Sequence, residues 1–303
     1  MYLPQLAFAA LGLIWGTNFL FMKWASASLS PAQIVFLRVL CGFLPLLLSA
    51  LAKGALRWRD LRHAHHFVVM SLLATVIYYY AFAKGTGLLA SGAAGMLSGA
   101  IPLVSAVCAW LLLRDERPTP RMGMGLVCGF AGVLLIAQPW RVSGDGVSLA
   151  GVGSMLLGCL SVGCSFVYAR RYLSGTGMSP LALSTWQIGI ALAIVAALTD
   201  FRGMGRIAED PRALAGIVLG LGVCGTGIAY LLYYYIVGRL GALTAAGVTY
   251  IPPVVALSMG TWIAGETLRP FDIVAAACIL GGVYLLQAQI PVKRRQLAEA
   301  NRR

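Results

Sequence analysis

The segment WGTNFLFMK, Trp15 to Lys23, has a counterpart 147 residues further on, VGCSFVYAR, Val162 to Arg170. Gly16 falls on Gly163, Asn18 on Ser165, Phe19 on Phe166, Phe21 on Tyr168 and Lys23 on Arg170. Each stretch is an apolar run with one polar residue inside it and a cation at its end. Further along, Ser30-Pro31 recurs as Ser179-Pro180 at an offset of 149. The offset then settles at 150, pairing IPLV (Ile101 to Val104) with IPPV (Ile251 to Val254), Glu116 with Glu266, Pro120 with Pro270 and Gly132 with Gly282. A nearly constant offset across Gly, Pro and Glu positions divides the chain into two repeats, 1–140 and 147–290, followed by a basic tail, 291–303.

With 59% hydrophobic and 11% charged residues, 303 residues cannot cover a soluble particle with polar surface. Apolar segments long enough to cross about 30 Å of hydrocarbon as helix recur at 5–23, 32–52, 67–84, 92–113, 122–138, 148–168, 181–199, 213–236, 243–264 and 271–289. Backbone groups in lipid must be satisfied within helices or closed barrels, and runs such as VCGFAGVLLIA lack the alternation of barrel strands. The expected fold is therefore all-α, with ten transmembrane helices. ASAS, Ala25 to Ser28, has the look of a signal-peptide cleavage site, but no basic residue precedes the first apolar run and Lys23 lies before the site. The first span is read as retained. Five spans per repeat is an odd number, so the second half must enter from the opposite side, which makes the repeats inverted. Lys23 and Arg170 then close equivalent helices at opposite faces, each expected to snorkel to its interface.

The formal net charge of +13 is spread over membrane-edge loops, without a nucleic-acid-binding signature. Placing the N-terminus in the cytoplasm puts Lys53, Arg57, Arg59, Arg62, Arg114, Arg117, Arg121, Arg170, Arg171, Arg239 and the tail cations inside. Only Lys23, Lys84, Arg141, Arg202, Arg206, Arg212 and Arg269 remain outside. The excess of Lys and Arg inside predicts cytoplasmic termini. The seven cysteines all lie within spans and are read as packing residues. HAHH, His63 to His66, is read as a basic loop that binds no metal, because no Cys or carboxylate cluster accompanies it.

Two similar halves facing opposite ways suit alternating access to a central site. WG-x-N-F…K in the first span, a proline within spans four and nine, and LRDE and IAGE closing those spans resemble the EamA-type drug/metabolite transporter superfamily. Within it, the chain resembles the YddG-type amino acid exporters. The resemblance implies a ten-helix basket whose cavity is lined by spans one, three, four, six, eight and nine, with five and ten at the periphery. It places this chain in a plasma (bacterial inner) membrane.

The residues themselves nominate a lining for that cavity. Asn18 lies one helical turn from Trp15, deep enough to need a partner, and Ser165 is its repeat mate. Tyr78 in span three and Tyr230 and Tyr234 in span eight sit on repeat-equivalent helices, and Tyr250 precedes the second proline. Pro102 and Pro252 remove helical hydrogen bonds, free the carbonyls near Ser98 and Val248, and are read as hinges. The GxxxG pairs Gly12/Gly16, Gly95/Gly99, Gly125/Gly129 and Gly216/Gly220 are read as packing faces.

All ten acids fall in loops or at helix ends, so a proton-coupled exporter of lipophilic cations is disfavoured. Arg38, about two turns into span two, is the one clear intramembrane charge; it could attract a carboxylate, but its structural reading, snorkelling or pairing with backbone carbonyls, is preferred. The expected function is export of amino acids and related neutral metabolites, as a facilitator, with no cofactor, no metal, no nucleic acid partner and no enzymatic activity. The protein is expected to be a monomer contacting only small-molecule substrate and lipid. A transporter of nucleotide sugars or other anionic metabolites is the alternative, and an integral-membrane lipid-modifying enzyme a weaker one.

Overall fold

The apolar stretches wind into helix because only a helix satisfies its own backbone away from water. A computed structural model describes residues 2–113, 119–138, 147–173, 176–241, 245 and 247–287, and no strand occurs among them. In chain order the helices are α1 (Leu3–Ala25), α2 (Pro31–Ala52), α3 (Trp58–Leu88), α4 (Ser91–Leu112), α5 (Pro120–Ala137), α6 (Leu149–Leu173), α7 (Pro180–Leu198), α8 (Pro211–Leu240), α9 (Ile251–Trp262) and α10 (Pro270–Gln287). The first eight are long and apolar enough to cross a membrane, and α10 is a shorter apolar helix. Leu48, Val127 and Leu219 are 58–73% exposed on the outer surface, a belt that water would not tolerate and lipid does.

Two boundaries differ from expectation for one reason. α3 starts at Trp58 rather than 67, and α8 runs from Pro211 to Leu240 rather than over 213–236, because hydropathy does not register the polar turns at helix ends. The histidine run is accordingly not a loop. His63 ends a tight turn, His65 and His66 lie on the first helical turn after it, and His66 Nδ1 sits 2.7 Å from the Tyr168 hydroxyl of α6. No cluster that could hold a metal occurs among the described residues. The start of the ninth expected span (243, 244 and 246), the acids Asp115, Glu116, Asp145 and Glu299, the cations Arg114, Arg117 and Arg141, and the tail 291–303 lie outside the described residues.

The recurring Ser-Pro pairs turn out to be helix starts. Ser30 Oγ accepts from Gln33 N at 3.3 Å while Gln33 Oε1 accepts from Ser30 N at 3.0 Å, with Pro31 pre-set at the first helical position. Ser179 Oγ likewise accepts from Ala182 N ahead of Pro180. Gln33 then donates through Nε2 to the carbonyls of Asp200 and Arg202, tying the start of α2 to the end of α7.

Lys23 takes specific partners at the end of its helix. Its Nζ donates to the carbonyls of Gly87 and Leu89, at 3.1 and 2.7 Å, and so caps the C-terminal end of α3. The other side of the same turn is held by Glu266, which follows α9. Its Oε1 accepts from Ser91 N and Ser91 Oγ, and its Oε2 from Gly92 N, at the N-terminus of α4. A cation and an anion from distant parts of the chain thus clamp residues 87–92. Replacing Lys23 with Met removes two charge-assisted hydrogen bonds from carbonyls that have no helical partner. The apparent melting temperature of the detergent-solubilised protein is expected to fall by about 2–5 °C, and an unchanged melt would show that the cap contributes nothing.

Small residues set the helix contacts. A Cβ on Gly16 would strike Val255 of α9, and one on Gly163 would come 3.2 Å from the Ser105 backbone of α4. Between α5 and α10, a Cβ on Gly132 would lie 2.6 Å from the Ala275 carbonyl and one on Gly282 2.5 Å from the Gly125 carbonyl, while Cys128 Sγ reaches the Cys278 carbonyl at 3.4 Å. Such close backbone approach is what small residues permit between helices in lipid.

Candidate functional site

The Gly-rich half of α8, GIVLGLGVCGTGI (Gly216 to Ile228), winds as a π-helix, one residue per turn looser than an α-helix. Its glycines let neighbours come close: a Cβ on Gly222 would strike Cys41, and one on Gly227 would lie 2.8 Å from Pro45, both on α2. The close approach places the Thr226 hydroxyl against Arg38. Thr226 Oγ1 donates to the Leu221 carbonyl at 3.0 Å and accepts from Arg38 Nε at 3.1 Å.

Arg38 is 6% exposed, and the face of its guanidinium lies 3.8 Å from the Tyr79 ring centroid. Among the described residues it pairs with a hydroxyl and an aromatic face and with no backbone carbonyl. Around it gather the tyrosines of α3 and α8. Tyr78 packs edge-on against Phe82 at 4.5 Å and lies 5.1 Å from Tyr79, and Tyr230 neighbours Tyr79, Tyr78 and Tyr234. Tyr234 is hydrogen-bonded to Ser184 of α7. One turn deeper on α7, Gln187 Nε2 donates to Thr75 Oγ1 at 3.0 Å. Asn18 is 4% exposed and turns Oδ1 toward Gly225, where a Cβ would collide with it, and that oxygen has no hydrogen-bond partner.

The structure brings Tyr78, Tyr230 and Tyr234 together, with Asn18 of α1 facing Gly225 of α8. The other nominated residues are elsewhere. Ser98 and Ser165 spend their hydroxyls on the carbonyls of Gly95 and Val162 in their own helices. Trp15 packs on Tyr233, ring centroids 6.1 Å apart, within a separate apolar cluster of α1 and α8. Tyr250 lies at the start of α9 beside Tyr284 of α10. Pro102 and Pro252 each stand in the first turn of a new helical segment, after breaks at 99–100 and 247–250. Sequence reasoning missed Tyr79, Thr226, Ser184 and Gln187, and it gave no part to span seven. The signal that could have found them is Arg38 itself, since a charge at that depth demands partners.

Two cavities adjoin this region. One of about 310 Å³ is lined by Ser49, Lys53, Leu181, Leu231, Tyr234 and Tyr235, so Tyr234 belongs both to its wall and to the tyrosine cluster. The other, about 500 Å³, lies between α1 and α8 around Phe21, Trp24 and Leu219, and its walls are almost wholly apolar. It is the larger of the two, has Thr17 and Arg212 on its wall, and shares no wall residue with the tyrosine cluster.

An apolar helical bundle enclosing a polar cluster is the build of a multi-pass membrane transporter. The chain belongs to the EamA-like transporter family, whose profile matches residues 3–138 and again 149–287. It is 23% identical to the Bacillus subtilis protein named uncharacterized transporter YoaV, over 93% of this chain and 95% of that one. It is 25% identical to the Escherichia coli K12 uncharacterized inner membrane transporter YedA, over 92% and 89% of the two chains. A crystal structure of a protein with 19% sequence identity matches it with a TM-score of 0.57, covering 95% of this chain and 98% of its own, which supports the fold.

Proposed function

We propose that this transporter exports amino acids and related small zwitterionic metabolites through a central site, by rocking of two inverted five-helix repeats. The observation that carries the reading is the enclosed cluster of Asn18, Arg38, Tyr78, Tyr79, Tyr230 and Tyr234. It combines hydroxyls, an amide oxygen without a donor and one cation, among apolar walls. Such a lining can hydrogen-bond both ends of a zwitterion and still accept an apolar side chain.

The repeat reading, with α9 and α10 as ninth and tenth spans, draws support from reciprocal contacts. Offset by 150, the Gly132–Ala275 contact becomes the Gly282–Gly125 contact, and Cys128 meets its own mate, Cys278. The family profile matches each half separately. Contacts at the helix ends agree with alternate crossings. Lys23 pairs with Leu89, Gln33 with Asp200 and Glu266 with Ser91, all at helix ends that the reading puts on one side, and His66 pairs with Tyr168 at ends it puts on the other. The Lys and Arg excess makes that second end cytoplasmic, in a bacterial inner membrane, with both termini inside and the protein a monomer. Pro102 and Pro252, each at a helical break, are the proposed hinges.

Uptake of a panel of radiolabelled amino acids into liposomes containing the purified protein tests the reading. Asn18→Ala and Tyr78→Ala are expected to cut that flux about tenfold or more at normal expression. Full flux in both variants would return these residues to packing. No described acid lies within the cluster, so flux is expected to follow the substrate gradient alone. Concentration of a neutral amino acid only under an imposed proton gradient would overturn that part.

A further inference from the structure

We infer that Arg38 is the anion-recognition group of the transport site, so that substrates must carry a carboxylate. This rests on the proposed function and narrows it to one chemical requirement.

The argument starts from an imbalance. Withdrawing a guanidinium from water carries a penalty of several kcal/mol, and proteins offset it with an anion or with a full set of acceptors. Arg38 has neither. It is 6% exposed, Nε is occupied by Thr226, and one face lies on Tyr79. Its two amino groups make no hydrogen bond among the described residues and are not fully buried, so they stay open to a ligand, and no described Asp or Glu pairs with it.

A structural role would be served without a charge. Thr226 already has its own carbonyl partner at Leu221, and α2 and α8 are held together by close contacts at Gly42, Gly222 and Gly227. What the guanidinium adds is a planar fork of donors matched to the two oxygens of a carboxylate. The aromatic face beneath it and the Thr226 hydroxyl fix its plane before any ligand arrives. Tyr78, next to Arg38, and Tyr230 supply hydroxyls for the same anion. The approach is marked too. The cavity of about 310 Å³ has Lys53 on its wall and shares Tyr234 with the cluster.

The test measures thermal stabilisation of the purified full chain in detergent by leucine, leucinamide, 4-methylpentanoate and succinate. Expected for wild type is stabilisation by leucine and by at least one amine-free carboxylate. Leucinamide should need about tenfold more ligand or worse. Arg38→Met should lose this preference. Arg38→Lys, which keeps the charge without the fork, should retain it weakened several-fold and serves as the variant if Arg38→Met does not fold.

Equal action of leucine and leucinamide on wild type, or no action by any carboxylate, overturns the inference. So does an undiminished carboxylate preference in a folded variant. Stabilisation by 4-methylpentanoate or succinate but not by leucine, together with absent amino acid flux in liposomes, would leave the anion site standing and remove the amino acid reading. Amino acid flux with equal competition by leucinamide would do the reverse.

Discussion

Gly282→Val is expected to abolish folded protein in the membrane. A Cβ at this position would sit 2.5 Å from the Gly125 carbonyl oxygen and 2.6 Å from Gly129 N. Both obstacles are backbone, so no rotamer change relieves the clash and α5 and α10 must separate. Overpacking a core commonly costs 1–3 kcal/mol when side chains can yield. With rigid helix backbone on both sides the cost is expected at about 4 kcal/mol or more, a large part of a typical stability of about 5–15 kcal/mol. Gly132→Val, 2.6 Å from the Ala275 carbonyl, is expected to behave alike. Gly281→Val supplies the control, since its Cβ would come no closer than 4.0 Å to Cys128 Sγ. Yield of monodisperse protein after detergent extraction separates these outcomes, and equal yields for Gly281→Val and Gly282→Val would refute the close α5–α10 seam.

Glu266→Ala is the second large effect expected. One carboxylate receives three hydrogen bonds, from Ser91 N, Ser91 Oγ and Gly92 N, at 2.6–2.9 Å. Hydrogen bonds to a charged group contribute about 1.5–3 kcal/mol each, and water reaching this half-exposed site reduces the sum. A loss of about 2–4 kcal/mol remains. Because Lys23 holds the carbonyls of the same turn, the double variant Lys23→Met/Glu266→Ala should lose less than the two single losses added together, the mark of groups acting on one element. Strict additivity in thermal melts would mean that the two residues hold independent structures. Glu116, the repeat mate of Glu266, lies outside the described residues.

The helix ends show where sequence reading succeeded and where it stopped. Ser30-Pro31 and Ser179-Pro180 were legible as repeat marks, and their capping role follows from side chains three residues away. Lys23 was legible as a cation closing an apolar run. Its partners are 64 and 66 residues distant, which no local pattern reveals. Glu266 was read as a helix-end acid, and its partners lie 174 and 175 residues away.

For the candidate site, residue types were legible and meetings were not. Tyr78, Tyr230 and Tyr234 were nominated by concentration on two helices, and they converge. Trp15, nominated one turn from Asn18, and Tyr250, just before the second proline, face other neighbours. Arg38 was visible as the lone intramembrane charge, yet its partner Thr226 is 188 residues away on a helix whose π winding rotates each side chain from its α-helical bearing.

The sequence by itself determined that this chain is a multi-pass bundle of apolar helices, and one family profile matches it over 3–138 and again over 149–287. Those properties are local: a hydrocarbon layer selects runs of about 20 apolar residues whatever lies around them, and a repeat is a comparison of the chain with itself. Only the tertiary structure decided which polar groups share the interior. That outcome depends on how each helix is turned about its axis and how closely glycines let it approach its neighbours, and these are set jointly by contacts between residues more than a hundred positions apart.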